Sequence, residues 1–108
     1  MCHSVQRHLE VVGRRWNSAI LLAGMRGARR FGEYRAMVAG VSDRLLAQRF
    51  VELQHEGLIE RTVVPTTPVT VSYELTERGR GLMTALEGFT RWAVKDQASY
   101  ESLREVSS

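Results

Sequence analysis

The stretch GVSDRLLAQRFVELQHEGLIER, residues 40–61, decides how the chain is read. Gly40 supplies a tight turn, and Ser42 is a good helix N-cap because its hydroxyl accepts from a free backbone N–H of the first turn. From there Leu46, Phe50 and Leu53 fall at i, i+4 and i+7, the spacing of one buried helical face. At 100° per residue, Arg44, Gln48, Val51 and His55 lie within about 40° of the opposite pole. Leu45 sits off the apolar stripe, towards the exposed side. Gly57 stops the helix, and a strand begins at Leu58.

Outward from that helix, the preceding residues read as three more. Ser4 to Val12 puts Val5, Leu9 and Val12 on one face, and Gly13 interrupts it. A second helix is expected over about 14–25, striped by Trp16, Ile20 and Ala23 with Leu21 beside them, and Gly27 is its stop. Arg29 to Phe31 reads as a brief extended segment, and GEYRAMV (32–38) as a short third helix with Tyr34 and Met37 inward. On the other side, LIERTVV (58–64) and TVSYEL (70–75) are rich in β-branched residues. PTTP (65–68) joins them in a hairpin whose turn is longer than two residues. Thr76 caps a further helix with Leu82, Leu86, Phe89 and Ala93 as its stripe. Lys95 to Val106 either continues it or forms a final short helix carrying Tyr100, Leu103 and Val106.

The fold class is therefore mainly α with a small β-wing. One domain is expected over 1–108, with a helix-turn-helix at about 32–57, a wing at about 59–75 and C-terminal helices at about 76–106. At 108 residues the chain has the length of one domain. No apolar run approaches the roughly 20 residues that cross a bilayer, and no secretory apolar segment opens the chain. A cytoplasmic protein without membrane attachment is the expectation. The single cysteine, Cys2, excludes an internal disulfide framework.

The net charge of +3 is unevenly spread. Residues 1–58 hold nine arginines against five carboxylates, and residues 59–108 hold six bases against seven. A basic half with clustered guanidinium groups points to a polyanionic partner, because arginine engages phosphate through a two-pronged fork.

Two helices joined by a short glycine-containing turn form a helix-turn-helix, and a hairpin directly afterwards makes it winged. A DNA major groove about 12 Å wide admits one helix, whose exposed side chains must offer hydrogen bonds to base edges. Arg44 and Gln48, one turn apart near the start of the helix, are the right types: arginine pairs with guanine and glutamine with adenine, while Leu45 suits a thymine methyl. Ser42, at the helix N-terminus, suits a phosphate. Arg29 and Arg30 before the third helix, and Arg35 on it, are candidates for the DNA backbone. Arg49 lies about 60° from the core centre and is expected to pair with Glu52 at i+3.

Catalysis finds no support. Cys2 as nucleophile would need His3 or His8 as base, and on a helix both point away from it; no nucleophile elbow or phosphate loop is present. Cys2, His3 and His8 also lack a spacing that closes a metal site. No cofactor is implied, and an enzyme is not expected.

Several motifs in order carry a family resemblance: Cys2 near the start, VVGRRWNSAIL (11–21), RRFGEYR (29–35), the stretch 40–61, VTVSYELTERG (69–79) and Trp92 near the last long helix. Over nearly its whole length the chain resembles the HxlR-type winged helix-turn-helix transcriptional regulators, relatives of the MarR-type repressors. The resemblance implies a sequence-specific DNA-binding regulator, a repressor responsive to a small molecule or to an oxidant or electrophile. It implies a homodimer assembled through the first and last helices, one recognition helix per subunit and a pseudo-palindromic operator on double-stranded DNA. Cys2 matches the N-terminal cysteine with which some members sense oxidants. Trp16 and Trp92 are expected in the core or the dimer seam, where they would line an effector pocket.

Two departures stand out. Members similar to this chain carry an arginine in the second wing strand after the proline, and Pro68-Val69-Thr70-Val71 has none. Wing contacts then fall to Thr66, Thr67 and backbone N–H groups, with Arg61 at the wing's base the nearest cation. Phe50 stands where leucine is more usual and is read as packing. The alternative is a winged helix repurposed for protein–protein contact without DNA binding. That would call for an acidic or apolar exposed face, and this one is neither.

Overall fold

The computed structural model describes residues 2–107, with side chains from 3 to 104. Helices α1 (Cys2–Gly13), α2 (Asn17–Met25), α3 (Phe31–Met37) and α4 (Asp43–His55) come first. Strands β1 (Ile59–Val64) and β2 (Thr70–Leu75) follow, then α5 (Glu77–Ala85) and α6 (Glu87–Ser107). The two strands pair antiparallel, from Ile59 opposite Leu75 at the base to Val64 opposite Thr70 at the tip. This is the expected winged helix-turn-helix, mostly helical with a two-stranded wing.

The core lies where α2, α3 and α4 meet the base of the wing. Ile20, Leu21, Tyr34, Leu46, Phe50 and Leu53 are each under 2% exposed, and burying such a side chain contributes roughly 1.5–3 kcal/mol. The i, i+4, i+7 stripe of α4 is thus the buried face foreseen from its spacing. Phe50 does more than fill space. Its ring stacks on Tyr73 at 4.0 Å and 9°, and meets Tyr34 edge-on at 4.9 Å and 89°. One side chain thereby joins α3, α4 and β2, in geometries that aromatic rings favour. The Tyr34 hydroxyl donates to the Tyr73 carbonyl at 2.7 Å, and burial pushes its pKa up to about 12.

The caps follow their sequence signals. The Ser42 hydroxyl accepts from the Leu45 N–H at 3.2 Å. Thr76 Oγ1 accepts from the Gly79 N–H at 3.0 Å and donates to the Gly57 carbonyl at 2.6 Å. Gly57 itself has φ +74, which a side chain rarely tolerates. The short extended segment before α3 is also present: the Arg29 carbonyl accepts from the Tyr73 N–H at 2.6 Å, one rung against β2.

Three expectations need correction. The second helix begins at Asn17 rather than 14, because Trp16 takes φ +79 and turns a sharp elbow. Buried Asn17 then donates to the Val11 carbonyl at 2.8 Å, pinning the end of α1 to the start of α2. Met37 does not point inward; it is 45% exposed, and Val38, extended just past the end of α3, takes the inward place. The helix after Thr76 is divided at Leu86, and Phe89, expected on the buried stripe, is 63% exposed. Val5 and Leu9, the apolar face of α1, are exposed as well. The side chains of Cys2 and Val106 lie outside the described residues.

Candidate nucleic-acid interface

Residues 38–42 form the turn between α3 and α4, with Gly40 at φ +86. That turn and the buried Leu46–Phe50–Leu53 stripe fix α4 in rotation, so its far side faces outward. Arg44, Gln48, Val51 and His55 are all exposed there, and Leu45 is exposed at the flank. Neither Arg44 nor Gln48 has a hydrogen-bond or ion-pair partner among the described residues. An unpaired guanidinium and an unpaired amide on one outward face are free to meet base edges.

The remaining arginines divide by what they touch. Arg29, a candidate for the DNA backbone, is engaged inside the protein: it donates to the Gly24 and Ala28 carbonyls at 3.2 and 2.9 Å and pairs with Glu74 at 3.3 Å. It closes the corner between α2 and β2. Arg35 pairs with Asp43 at 3.2 Å across the helix-turn-helix, with both groups exposed. Arg30 precedes α3, where the Glu33 carboxylate accepts from its N–H at 2.9 Å, and its side chain is exposed. Arg49 pairs with Glu52 at 2.7 Å, as its spacing suggested. Arg61 lies exposed on β1 opposite Tyr73. At the wing tip Thr66 Oγ1 donates to the Pro68 carbonyl at 2.8 Å, and Thr67 is exposed beside it.

The two tryptophans are not brought together. Trp16 stands at the α1–α2 elbow, half-buried, with its ring edge 3.5 Å from where a Cβ on Gly40 would sit. It packs against the core and touches the helix-turn-helix turn. Trp92 lies on α6, 59% exposed, with Phe89 at 6.1 Å between ring centroids. Sequence reasoning missed an apolar groove between α2, α5 and α6. Two adjoining hollows of about 430 and 520 Å³ share Leu22, Met83, Thr90 and Val94. Neither tryptophan lines it. The groove is lined from three elements far apart in sequence, which no local residue pattern announces. Among the described residues no helix is long and apolar enough to cross a membrane.

Comparison with known proteins bears on this geometry. The model of the HxlR-like helix-turn-helix family matches residues 11–101. The HTH-type transcriptional regulator YodB of Bacillus subtilis (strain 168) is 37% identical over 93 residues, covering 86% of this chain and 83% of its own. YvaP of the same organism, an uncharacterized HTH-type transcriptional regulator, is 34% identical over 95 residues, 88% of each chain. The structure of quinone-bound YodB superposes with a TM-score of 0.74 at 31% identity, covering 87% and 99% of the two chains. The redox regulator HypR in its reduced form superposes at 0.82 with 29% identity, covering 92% and 98%.

Proposed function

Since the chain belongs to the HxlR-like helix-turn-helix family of DNA-binding transcriptional regulators, we propose that it is a homodimeric repressor of a pseudo-palindromic operator, released by an oxidant, an electrophile or a small apolar molecule. Each subunit enters one major groove with α4. Arg44 and Gln48 read base edges, and Leu45 meets a thymine methyl. Ser42, Arg30, Arg35, Arg61, Thr66 and Thr67 hold the phosphates and set the register. One domain spans 1–108, and it works in the cytoplasm, where its DNA is.

The observation that carries this reading is the free Arg44–Gln48 face opposite a fully buried stripe on the same helix. The dimer is supported by apolar surface that one subunit leaves open. Val5 and Leu9 on α1, and Phe89, Trp92 and Val94 on α6, are exposed on the helices at the two ends of the chain. Large apolar side chains left in water in this density mark an interface. Two copies joined there would present two recognition helices to half-sites about one helical turn, 34–36 Å, apart.

Effector response is supported by relatives whose structures are described as quinone-bound, or as reduced and oxidized. In this chain the candidate sensor is Cys2, the only thiol. It would react by alkylation, or by forming a disulfide with a small thiol or with the Cys2 of the second subunit. The groove lined by Leu22, Met83, Thr90 and Val94 offers a further apolar effector site beside the proposed seam.

Selection of bound duplexes from a random-sequence pool tests the proposal. The expected result is enrichment of two inverted half-sites at one-turn spacing; a pool that stays random after repeated rounds at low salt would refute it.

A further inference from the structure

Most arginines of the basic half are paired within the chain: Arg7 with Glu56, Arg14 and Arg49 with a shared Glu52, Arg29 with Glu74 and Arg35 with Asp43. Attraction for a polyanion rests chiefly on the arginines left over. Arg15 is one of them. It has no ion pair or hydrogen bond among the described residues, and its guanidinium carbon sits 4.9 Å from the centroid of the Trp16 ring.

The position of that stack is set by the elbow. Trp16, at φ +79, lays its ring edge against Gly40, two residues before the N-cap of α4. On the other side of Arg15, Arg14 reaches Glu52 on α4. Glu52 lies about 40° round the helix from Gln48. Residues 14–16 therefore run along one flank of the recognition helix, with Trp16 at the turn before its start and Arg14 at Glu52 in its last turn. A guanidinium held over an indole by its cation–π attraction still has N–H groups to offer, and its fork matches two phosphate oxygens. Stacking also holds the side chain in one orientation before contact, which lowers the ordering cost on binding.

We propose that Arg15, held on Trp16, is a phosphate anchor at the flank of the recognition helix, with Trp16 as its positioning residue. The ligand is the sugar-phosphate backbone of duplex DNA, gripped without regard to sequence. The inference rests on the DNA-binding reading and adds to it a contact outside the helix-turn-helix and the wing. It also gives the exposed RRW segment of the first motif a task that core packing does not explain.

The test is fluorescence anisotropy of the full chain with a mixed-sequence duplex over a series of KCl concentrations. Arg15→Gln is expected to flatten the slope of log K against log salt by about 0.9 for each subunit engaged. Affinity at low salt falls several-fold, equally for mixed-sequence and selected duplexes, while the unfolding curve is unchanged because Arg15 is exposed. Arg15→Lys restores the slope, since the charge returns. Trp16→Leu weakens binding, and adding Arg15→Gln to it costs less than in the wild-type background. If Arg15→Gln keeps the wild-type slope and affinity, the anchor is overturned while DNA binding stands. If the wild-type chain shows no salt-dependent binding, DNA binding itself fails and the anchor falls with it.

Discussion

Arg14 and Glu52, 38 residues apart in sequence, form an ion pair that fastens the end of α1 to the last turn of the recognition helix. Arg7 and Glu56 repeat the contact at 2.9 Å about one turn further along α4. The proposed recognition helix is thus gripped by the helix that leaves Val5 and Leu9 exposed. A shift of α1 would be passed directly to α4, which is the coupling an effector-responsive dimer requires.

Glu52 is the centre of that grip. Its carboxylate serves both Arg14 and Arg49, and the Nε of Arg49 is buried without a partner among the described residues. Glu52→Gln leaves a largely buried guanidinium poorly matched and is expected to lower stability by about 1–3 kcal/mol in urea denaturation. Arg14→Ala removes only a half-exposed partner and is expected to cost less than about 1 kcal/mol. Equal losses for the two variants would contradict this ordering.

Gly79 and Gly81 sit two residues apart on α5, and the same change should have opposite signs at them. A Cβ on Gly79 would lie 2.2 Å from the Leu58 carbonyl oxygen, a backbone atom that cannot step aside. Gly79→Ala is expected to destabilise by about 1–3 kcal/mol or more. At Gly81 nothing stands within 4 Å, so Gly81→Ala should stabilise by roughly 0.5–1 kcal/mol through helix propensity. Thermal melts of the two variants check the pair; a stable Gly79→Ala would mean that α5 does not pack on Leu58 as described.

Tyr34 gives the fold an alkaline limit. Its hydroxyl, pushed up to about 12 by burial, stays protonated in the folded chain while an unfolded tyrosine ionises near about 10. Below pH 10 its contribution is constant. Between pH 10 and 12 only the unfolded state releases this proton, so stability falls as pH rises. At about 1.4 kcal/mol per unit, the stability difference between wild type and Tyr34→Phe should shrink by up to about 2–3 kcal/mol across that window. A difference that stays flat would contradict the burial of the hydroxyl against Tyr73.

These cases mark what the sequence carries and what it does not. The recognition helix was legible because cap, stripe and stop are local: Ser42, Leu46, Phe50, Leu53 and Gly57 each act within a few residues of one another. Met37 was misplaced because α3 has only seven residues, too few for a periodicity to separate it from Val38. The start of α2 is not legible because a helix counted from residue 14 assumes an unbroken backbone, whereas φ +79 at Trp16 turns the chain there, with the indole still packed against the core. Arg29, just before α3, is held within the protein by a distant residue. Its partner Glu74 is 45 positions away, and no local pattern reports such a pairing. Phe89 stands beside Trp92 on α6, and neither has cover among the described residues.

That missing cover is itself testable. Leu9→Glu and Trp92→Glu each place a charge on an exposed apolar face, so neither is expected to disturb the fold of one subunit. Both should convert a dimer to a monomer in analytical ultracentrifugation and lower affinity for a two-half-site duplex by at least tenfold, since each monomer then binds alone. Variants that stay dimeric would move the seam elsewhere.

The most direct measurement compares Arg44→Ala with the wild type on a selected duplex and on a mixed-sequence duplex at one fixed salt concentration. If α4 reads bases through this side chain, the variant loses about 1–3 kcal/mol on the selected duplex, much less on the mixed one, and its preference relaxes at one position of each half-site. A loss of equal size on both duplexes, with every base preference intact, would contradict base reading and move Arg44 to the phosphates.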